Sequence, residues 1–161
     1  MADNILFILT LLTALGCGLM AGIFFIFSNT VMNALAQLQP PQGIAAMQSI
    51  NRVILNPLFF IVFIGTAVVS VVLAVFLLWI WGQPGSIYIL LGVLCYFVGS
   101  FLVTIVFNVP MNETLDKVEP DSIEAANLWA KYLTNWTAWN HVRAVACFLG
   151  ALVFTLALRL Q

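Results

Sequence analysis

The residues best suited to chemistry stand close together near the C-terminal end of the chain. Asn140, His141 and Arg143 lie within four positions, and His141 is the single histidine of the sequence. An imidazole exchanges protons near neutral pH, and a guanidinium binds anions and carbonyl oxygens. Both ionisable side chains fall in an apolar segment, where such residues are costly and mark functional sites. All three are therefore candidate catalytic residues.

Helical geometry separates two of these candidates. Positions two apart differ by about 200° around a helix axis, so His141 and Arg143 cannot share a face. One face carries Trp136, Trp139, Asn140, Arg143 and Cys147, and the other carries Thr137, His141, Ala144, Val145 and Phe148. We expect one of these groups to face the bundle axis more directly and the other to face a neighbouring helix, while Asn140 lies between the two and can bond either way.

A second polar stripe lies in the middle of the chain. Its members are Tyr96, Ser100, Thr104 and Asn108, four residues apart and so on one helix face. In an antiparallel bundle this stripe ends beside further polar and aromatic residues, namely Phe24, Phe25, Phe27, Ser28, Asn29, Arg52, Asn56, Phe107, Trp136 and Trp139. Such a grouping predicts a small-molecule cavity. The alternatives are hydroxyls bonded to their own backbone, asparagines that cap helices, and aromatic residues that pack or mark the headgroup level.

Metal ligands are scarce in this sequence. There is one histidine, no Glu-x-x-His pattern, and no pair of cysteines at ligand spacing. The sequence therefore predicts no metal centre, and a haem with His141 as its single protein ligand stays open as an alternative. Cys17, Cys95 and Cys147 all lie in apolar runs and are interpreted as packing residues.

The distribution of charge predicts what holds these residues in place. Only 7% of the residues are charged, 63% are hydrophobic, and neither residues 4–51 nor residues 53–112 contain an acidic residue, a lysine or an arginine. A helix crosses a bilayer about 30 Å thick with about 20 apolar residues. The chain is therefore predicted to be a polytopic α-helical membrane protein. A net charge of −1 offers no basic surface for nucleic acid.

Four membrane helices are predicted, at about 5–31, 57–81, 87–109 and 136–158. Pro110 is expected to end the third helix. Only 15 residues separate Arg143 from Arg159, about 22 Å of helix, so the fourth helix is extended back to Trp136 to cross the bilayer. The connections carry a short helix at about 44–55 and an amphipathic helix that opens near residues 120–122. The predicted fold is a single domain over 1–161, an all-α up-down four-helix bundle with both long loops on one side.

Four segments together resemble the anthrone oxygenase-like family of small four-helix membrane proteins. They are residues 21–28 (AGIFFIFS), 47–51 (MQSIN), 108–112 (NVPMN) and 136–143 (WTAWNHVR). The fungal members implied by the family name oxidise polyketide anthrones to anthraquinones with molecular oxygen, and the resemblance implies the same class of reaction. Removal of a proton from the acidic methylene group of an anthrone leaves an anion that reacts with oxygen without a metal.

The resemblance also implies roles for the candidate residues. His141 is the side chain suited to act as the base, and Arg143, Arg52, Asn140, Asn108 and Asn112 are suited to stabilise the enolate oxygen. The substrate-binding residues are predicted to be Asn108, Asn112, Arg52, Asn51, Trp136, Trp139, Phe27, Ser28 and Tyr96. The cofactor is open, and the reaction as written needs none.

The leading hypothesis is thus an integral membrane oxidoreductase that oxidises a lipophilic aromatic or quinone-like substrate with oxygen at the long-loop end. The alternative is a non-catalytic protein that binds a lipophilic ligand or haem, or an accessory subunit. The expected surroundings are the lipid bilayer, in the plasma membrane as for bacterial members of the family. Ala14, Gly18 and Gly22, four residues apart, permit either a homo-oligomer or close packing within one chain.

Overall fold

The computed structural model describes residues 2–161, so Met1 of the predicted domain lies outside it. Within that range the chain forms five helices and no strand. Helix α1 is α-helical over Ala2–Ile26, π-helical over Phe27–Val31 and α-helical again over Met32–Ala36; α2 is Pro40–Val53; α3 is Pro57–Ile80. Helix α4 comprises Ser86–Val93, the π-helical stretches Leu94–Leu102 and Thr104–Asn108, and Val109–Asp116; α5 is Ile123–Leu160.

Four of these helices, α1, α3, α4 and α5, are long and apolar enough to span a membrane. The predicted all-α four-helix membrane fold is confirmed. Asn56 caps α3 by accepting a hydrogen bond from the Phe59 amide at 3.0 Å, and Pro57 occupies the first turn as expected. Helices α3 and α4 are joined by a tight turn in which Gly82 and Gly85 both have φ of 89°, which glycine adopts without strain.

The predicted end of the third helix is wrong, because α4 continues through Pro110 to Asp116. The Val109 amide bonds back five residues to the Thr104 carbonyl, in the π-helical pattern. The hydrogen-bond ladder is therefore already shifted where Pro110 lacks its N–H group. The proline then falls in the first turn of the following α-helical segment, where it is tolerated.

The predicted fourth helix is also longer than expected. The Ser122 hydroxyl accepts from the Ala125 amide at 3.1 Å, so a helix does open there, but it runs on without a break for 38 residues. It contains no proline and its one glycine, Gly150, lies deep in the bundle. At 1.5 Å per residue α5 is about 57 Å long, almost twice the thickness of a bilayer core.

A second packed unit, here called the cap, lies beside the bundle. It consists of the C-terminal ends of α1 and α4, the whole of α2 and the first turns of α5. Its core is separate from the core of the bundle and consists of Met32, Leu35, Ile44, Met47, Leu115, Ala125, Trp129, Tyr132 and Trp136. Gln48 fastens the cap by donating from Nε2 to the carbonyls of Leu115 at 2.9 Å and Val118 at 3.0 Å. The regions expected to be long loops are thus an ordered helical layer.

The small-residue positions of α1 divide between the inside and the outside of the bundle. Ala14 is buried, whereas a Cβ atom added at Gly18 or Gly22 would meet nothing within 4 Å. Close packing inside the chain comes from other glycines. At Gly99, for example, an added Cβ would lie 2.7 Å from the Cβ of Ala146, so α4 and α5 approach closely there.

Candidate functional site

A cavity of about 90 Å³ lies where the bundle meets the cap. Its polar side chains are Asn51 from α2, Thr104 and Asn112 from α4, and Asn140 and Arg143 from α5. Its apolar wall includes Phe24, Phe27 and Trp136, and its rim includes Ile54 and the exposed Leu55 in the connection between α2 and α3. The predicted cavity with aromatic walls therefore exists at the predicted end of the bundle.

Arg143 is the charged group of this cavity, and its side chain is only 4% exposed. Its Nη2 atom donates to Asn140 Oδ1 at 2.6 Å and its Nη1 atom donates to Thr104 Oγ1 at 3.2 Å. The guanidinium carbon lies 4.2 Å from the centre of the Phe24 ring and 5.2 Å from that of Trp136. Aromatic faces attract a desolvated cation, so the two rings offset part of the cost of burial.

Two features leave the charge of Arg143 available to a ligand. No carboxylate among the described side chains lies within ion-pair distance of it, and its Nε atom is buried with no hydrogen-bond partner among residues 2–161. A buried cation without a counter-ion is strongly destabilising unless something else compensates it. The geometry suits a ligand that brings an anionic or strongly accepting oxygen.

Asn140 connects Arg143 to α1. Its Nδ2 atom donates to the Phe24 carbonyl and to Ser28 Oγ, both at 2.6 Å, while its Oδ1 atom accepts from Arg143. Asn140 is fully buried. Ser28 lies in the π-helical turn Phe27–Val31, Phe24 lies just before that turn, and Thr104 begins the second π-helical stretch of α4. Such stretches are frequent at functional sites, and here both adjoin the same arginine.

Asn112 occupies the cap side of the cavity. Its Oδ1 atom accepts two hydrogen bonds of 2.7 Å, one from the Tyr132 hydroxyl and one from Trp136 Nε1. Nearby, the Nδ2 atom of Asn51 is buried with no hydrogen-bond partner in the described part of the chain. The cap thus contributes amide groups whose N–H donors are not used by the protein.

The structure brings together most of the residues predicted for the site. These are Phe27, Ser28, Asn51, Asn112, Trp136, Asn140 and Arg143. Asn108 lies just outside, buried between α4 and α5, where its Nδ2 donates to the Trp136 carbonyl at 3.2 Å. Of the predicted group on α5, Trp136, Asn140, Arg143 and Cys147 are all buried, so this group and not that of His141 faces the inside of the bundle.

Four predicted residues lie away from the cavity. Tyr96 is in the bundle core, with its hydroxyl donating to the Phe63 carbonyl at 2.9 Å, and Trp139 stacks on Phe107 with ring centres 3.6 Å apart. Arg52 is exposed and pairs with Asp116 at 3.3 Å. They do not reach the cavity because the position of a residue around its helix axis, and not its depth in the membrane, decides which side chains converge.

His141 is the fourth of these residues. It is exposed on the outer surface of α5, at the edge of one apolar groove towards α4 and another towards α1. The helical geometry already separated it from Arg143, and the structure places the two on different sides of α5. The prediction that His141 acts as the base stays a prediction, and no contact with the cavity supports it.

Sequence reasoning missed Tyr132 as a member of the site. It lies one turn before Trp136 and both side chains bond to Asn112, but the predicted helix began only at Trp136. Extending the helix back to Ser122 would have placed Trp129, Tyr132 and Trp136 on one face. Their rings follow one another at 5.6 Å and 5.8 Å in the structure.

No group of three or more histidine, cysteine or acidic side chains in the described residues could hold a metal ion. Cys17, Cys95 and Cys147 are free thiols, two of them fully buried in the bundle. The polar groups that face the cavity are amides, a hydroxyl and a guanidinium. These groups suit an oxygen-rich organic ligand better than a cation.

The comparisons with known proteins agree with this picture. The family model of the anthrone oxygenases matches residues 59–153, which contain Thr104, Asn112, Trp136, Asn140 and Arg143. Neither the comparison with curated proteins nor that with solved structures gives a match. Since the match covers more than half of the chain, this protein, with its four apolar helices of membrane-spanning length, belongs to the anthrone oxygenase family.

Proposed function

We propose that this protein is an integral membrane oxidoreductase that oxidises a lipophilic aromatic ketone of the anthrone class with molecular oxygen, in the cavity beside Arg143. The observation that carries the proposal is the buried guanidinium with no counter-ion, whose Nε atom faces no protein acceptor. An anthrone that loses a methylene proton becomes an enolate, and the charge of that enolate rests mainly on its oxygen. Arg143 is the group that would stabilise this charge.

The reaction balances without a further reductant. One atom of O₂ becomes the new carbonyl oxygen, and the other leaves as water with the two methylene hydrogens. The electrons that reduce oxygen come from the C–H bonds of the substrate. The role of the protein is then to raise the population of the enolate and to hold it where oxygen reaches its carbon. Hydrogen-bond donors that are desolvated and fixed in position serve both of these purposes.

The size of the cavity sets how the substrate is held. Ligand sites usually measure about 300–1,000 Å³, and an engineered cavity of about 150 Å³ binds benzene. A cavity of about 90 Å³ therefore takes in one edge of a flat tricyclic molecule. The remaining rings would lie against Ile54 and the exposed Leu55 at the rim, where apolar surface is available.

The test is oxygen consumption by the purified protein in detergent or nanodiscs, with 1,8-dihydroxyanthrone as the probe. We expect uptake of one O₂ per anthrone above the protein-free rate. With ¹⁸O₂, the quinone should carry one labelled atom and water the other. If the rate never exceeds that of protein-free detergent, the proposed activity is wrong.

A binding function without turnover is the second candidate. It is favoured by one observation, namely that the cavity wall contains no imidazole and no carboxylate among the described side chains. In that case the product-like anthraquinone would bind to the protein and quench tryptophan fluorescence through Trp136, yet no labelled oxygen would enter an anthrone. The same preparation therefore distinguishes the two candidates.

Replacing His141 with glutamine tests the role that the sequence predicts for the histidine. Because His141 lies on the outer surface, we expect His141→Gln to keep enzyme-dependent oxygen uptake within about threefold of the wild type, as surface substitutions generally do. A loss of a hundredfold with an unchanged melting temperature would instead identify His141 as the base. An absorption spectrum of both proteins would show whether a haem band depends on this residue.

A further inference from the structure

Two polar residues contact the Trp136 indole from different directions. The guanidinium carbon of Arg143 lies over the face of its ring, 5.2 Å from the ring centre, and Asn112 Oδ1 accepts from its Nε1 atom at 2.7 Å. Both polar residues line the same cavity as the indole. A ligand in this cavity can therefore contact the guanidinium and the Asn112 amide at two separate positions.

The orientation of the Asn112 amide is set by its neighbours. Tyr132 and Trp136 are both donors to its oxygen, so the amide cannot be turned round without losing two hydrogen bonds of 2.7 Å. The NH₂ group is the end that the protein leaves without a partner among the residues described. Asn51 Nδ2, buried and likewise unpartnered, belongs to the same wall.

The cavity thus presents donors at two separate positions. We propose that the NH₂ group of Asn112 hydrogen-bonds the oxygen that is being added to the substrate, while Arg143 holds the oxygen that the substrate already carries. Tyr132 is a positioning residue that keeps this NH₂ group turned inward. The proposal rests on the proposed function, and it assigns enolate formation to Arg143 and the addition of oxygen to Asn112.

The step itself is balanced. The enolate carbon gives one electron to O₂, and recombination of the two radicals forms a C–O bond and leaves a peroxide anion, R₂CH–O–O⁻. Asn112 donates a hydrogen bond to this anion. A proton from water then gives the hydroperoxide R₂CH–OOH, which loses water, taking the remaining methylene hydrogen, to form the carbonyl. Only O₂ and a returned proton are consumed besides the substrate.

Asn112→Asp separates this role from a structural one. The carboxylate can still accept from Tyr132 and Trp136, so the bonds seen in the structure are kept, but the donor is replaced by a negative oxygen. We expect oxygen uptake to fall at least about tenfold. Exchange of the methylene hydrogens of 1,8-dihydroxyanthrone with D₂O in the absence of oxygen, which reports enolate formation at Arg143, should fall less than oxygen uptake does, because the new charge acts on the guanidinium only across the cavity.

Two further variants complete the experiment. Tyr132→Phe removes one of the two hydrogen bonds that orient the amide and should lower oxygen uptake less than Asn112→Asp does, with a smaller effect on exchange than on uptake. Asn135→Asp adds the same charge on an exposed position of α5 outside the cavity and should change neither rate. Equal oxygen uptake by Asn112→Asp and wild type, or a parallel loss of uptake and exchange, overturns the assignment of Asn112. Absence of both activities in the wild type contradicts the proposed function instead.

Discussion

Replacing Arg143 with glutamine is expected to lower anthrone-dependent oxygen uptake by about a hundredfold to a thousandfold, the range found when a preorganised oxyanion donor is removed. The substitution removes the positive charge of the cavity and leaves a shorter, neutral amide in its place. Anaerobic methylene exchange should fall by the same factor, because Arg143 acts on the enolate before oxygen is involved. Oxygen electrode traces and proton NMR in D₂O measure the two rates.

Arg159→Gln is the matched control for this experiment. Arg159 lies on the same helix α5 at the opposite end and is exposed, so its loss should leave both rates unchanged. Arg143→Lys should recover part of the activity, since it restores the charge but not the planar fork that reaches Asn140 and Thr104 together. Wild-type rates in Arg143→Gln would show that the reaction takes place elsewhere.

The membrane fold could be predicted from the sequence because it depends on the length of the uncharged runs and on the helical periodicity of the polar residues. Long apolar runs without charge form helices in lipid, and the helical spacing of the α5 side chains correctly separates buried Arg143 from exposed His141. The same geometry shows why neighbours in sequence are poor guides to a site. His141 and Arg143 are two positions apart and lie on different sides of the helix.

The sequence predicts short helices near residues 44–55 and from about residue 120, but it does not predict how they pack into the cap, because α4 breaks the usual rule for a helix end. Pro110 normally ends a helix, yet the π-helical turn before it lets α4 continue to Asp116. This extension carries Asn112 to the cavity and brings Leu115 and the carbonyl that binds Gln48 into the cap core. Hydrogen bonds between residues far apart in sequence, such as that between Asn112 and Tyr132, follow from this packing. No periodic pattern in the sequence predicts them.

The cap also explains why the site lies at this end of the bundle. Arg143 lies close to the π-helical turn of α1 and to the second π-helical stretch of α4, and the cap closes over the same cavity with Met47, Ile50 and Asn51. A guanidinium there is shielded from water by protein and from lipid by aromatic rings. That environment strengthens its interaction with an anionic oxygen, since screening by solvent is weak.

Asn140→Asp is expected to abolish activity while the protein still folds. The new carboxylate would lie 2.6 Å from Arg143 Nη2, where the amide oxygen now lies, and would form an ion pair that neutralises the charge of the guanidinium. Oxygen uptake and anaerobic exchange should both fall by about a hundredfold, as for loss of the donor itself. The Phe24 carbonyl would lose its donor from Asn140, which costs about 1–3 kcal/mol of unfolding free energy. Activity assays and thermal unfolding in detergent measure the two effects.

Two companion variants show why a neutralised charge, rather than a damaged fold, should be responsible. Asn140→Leu removes the hydrogen bonds to α1 and to Arg143 together, so it should lower the melting temperature more than Asn140→Asp does. Asn33→Asp adds a carboxylate at an exposed position of α1 and should leave oxygen uptake unchanged. If Asn140→Asp stayed active, the charge of Arg143 would not be the feature that stabilises the enolate, and neutral donors would have to carry that role.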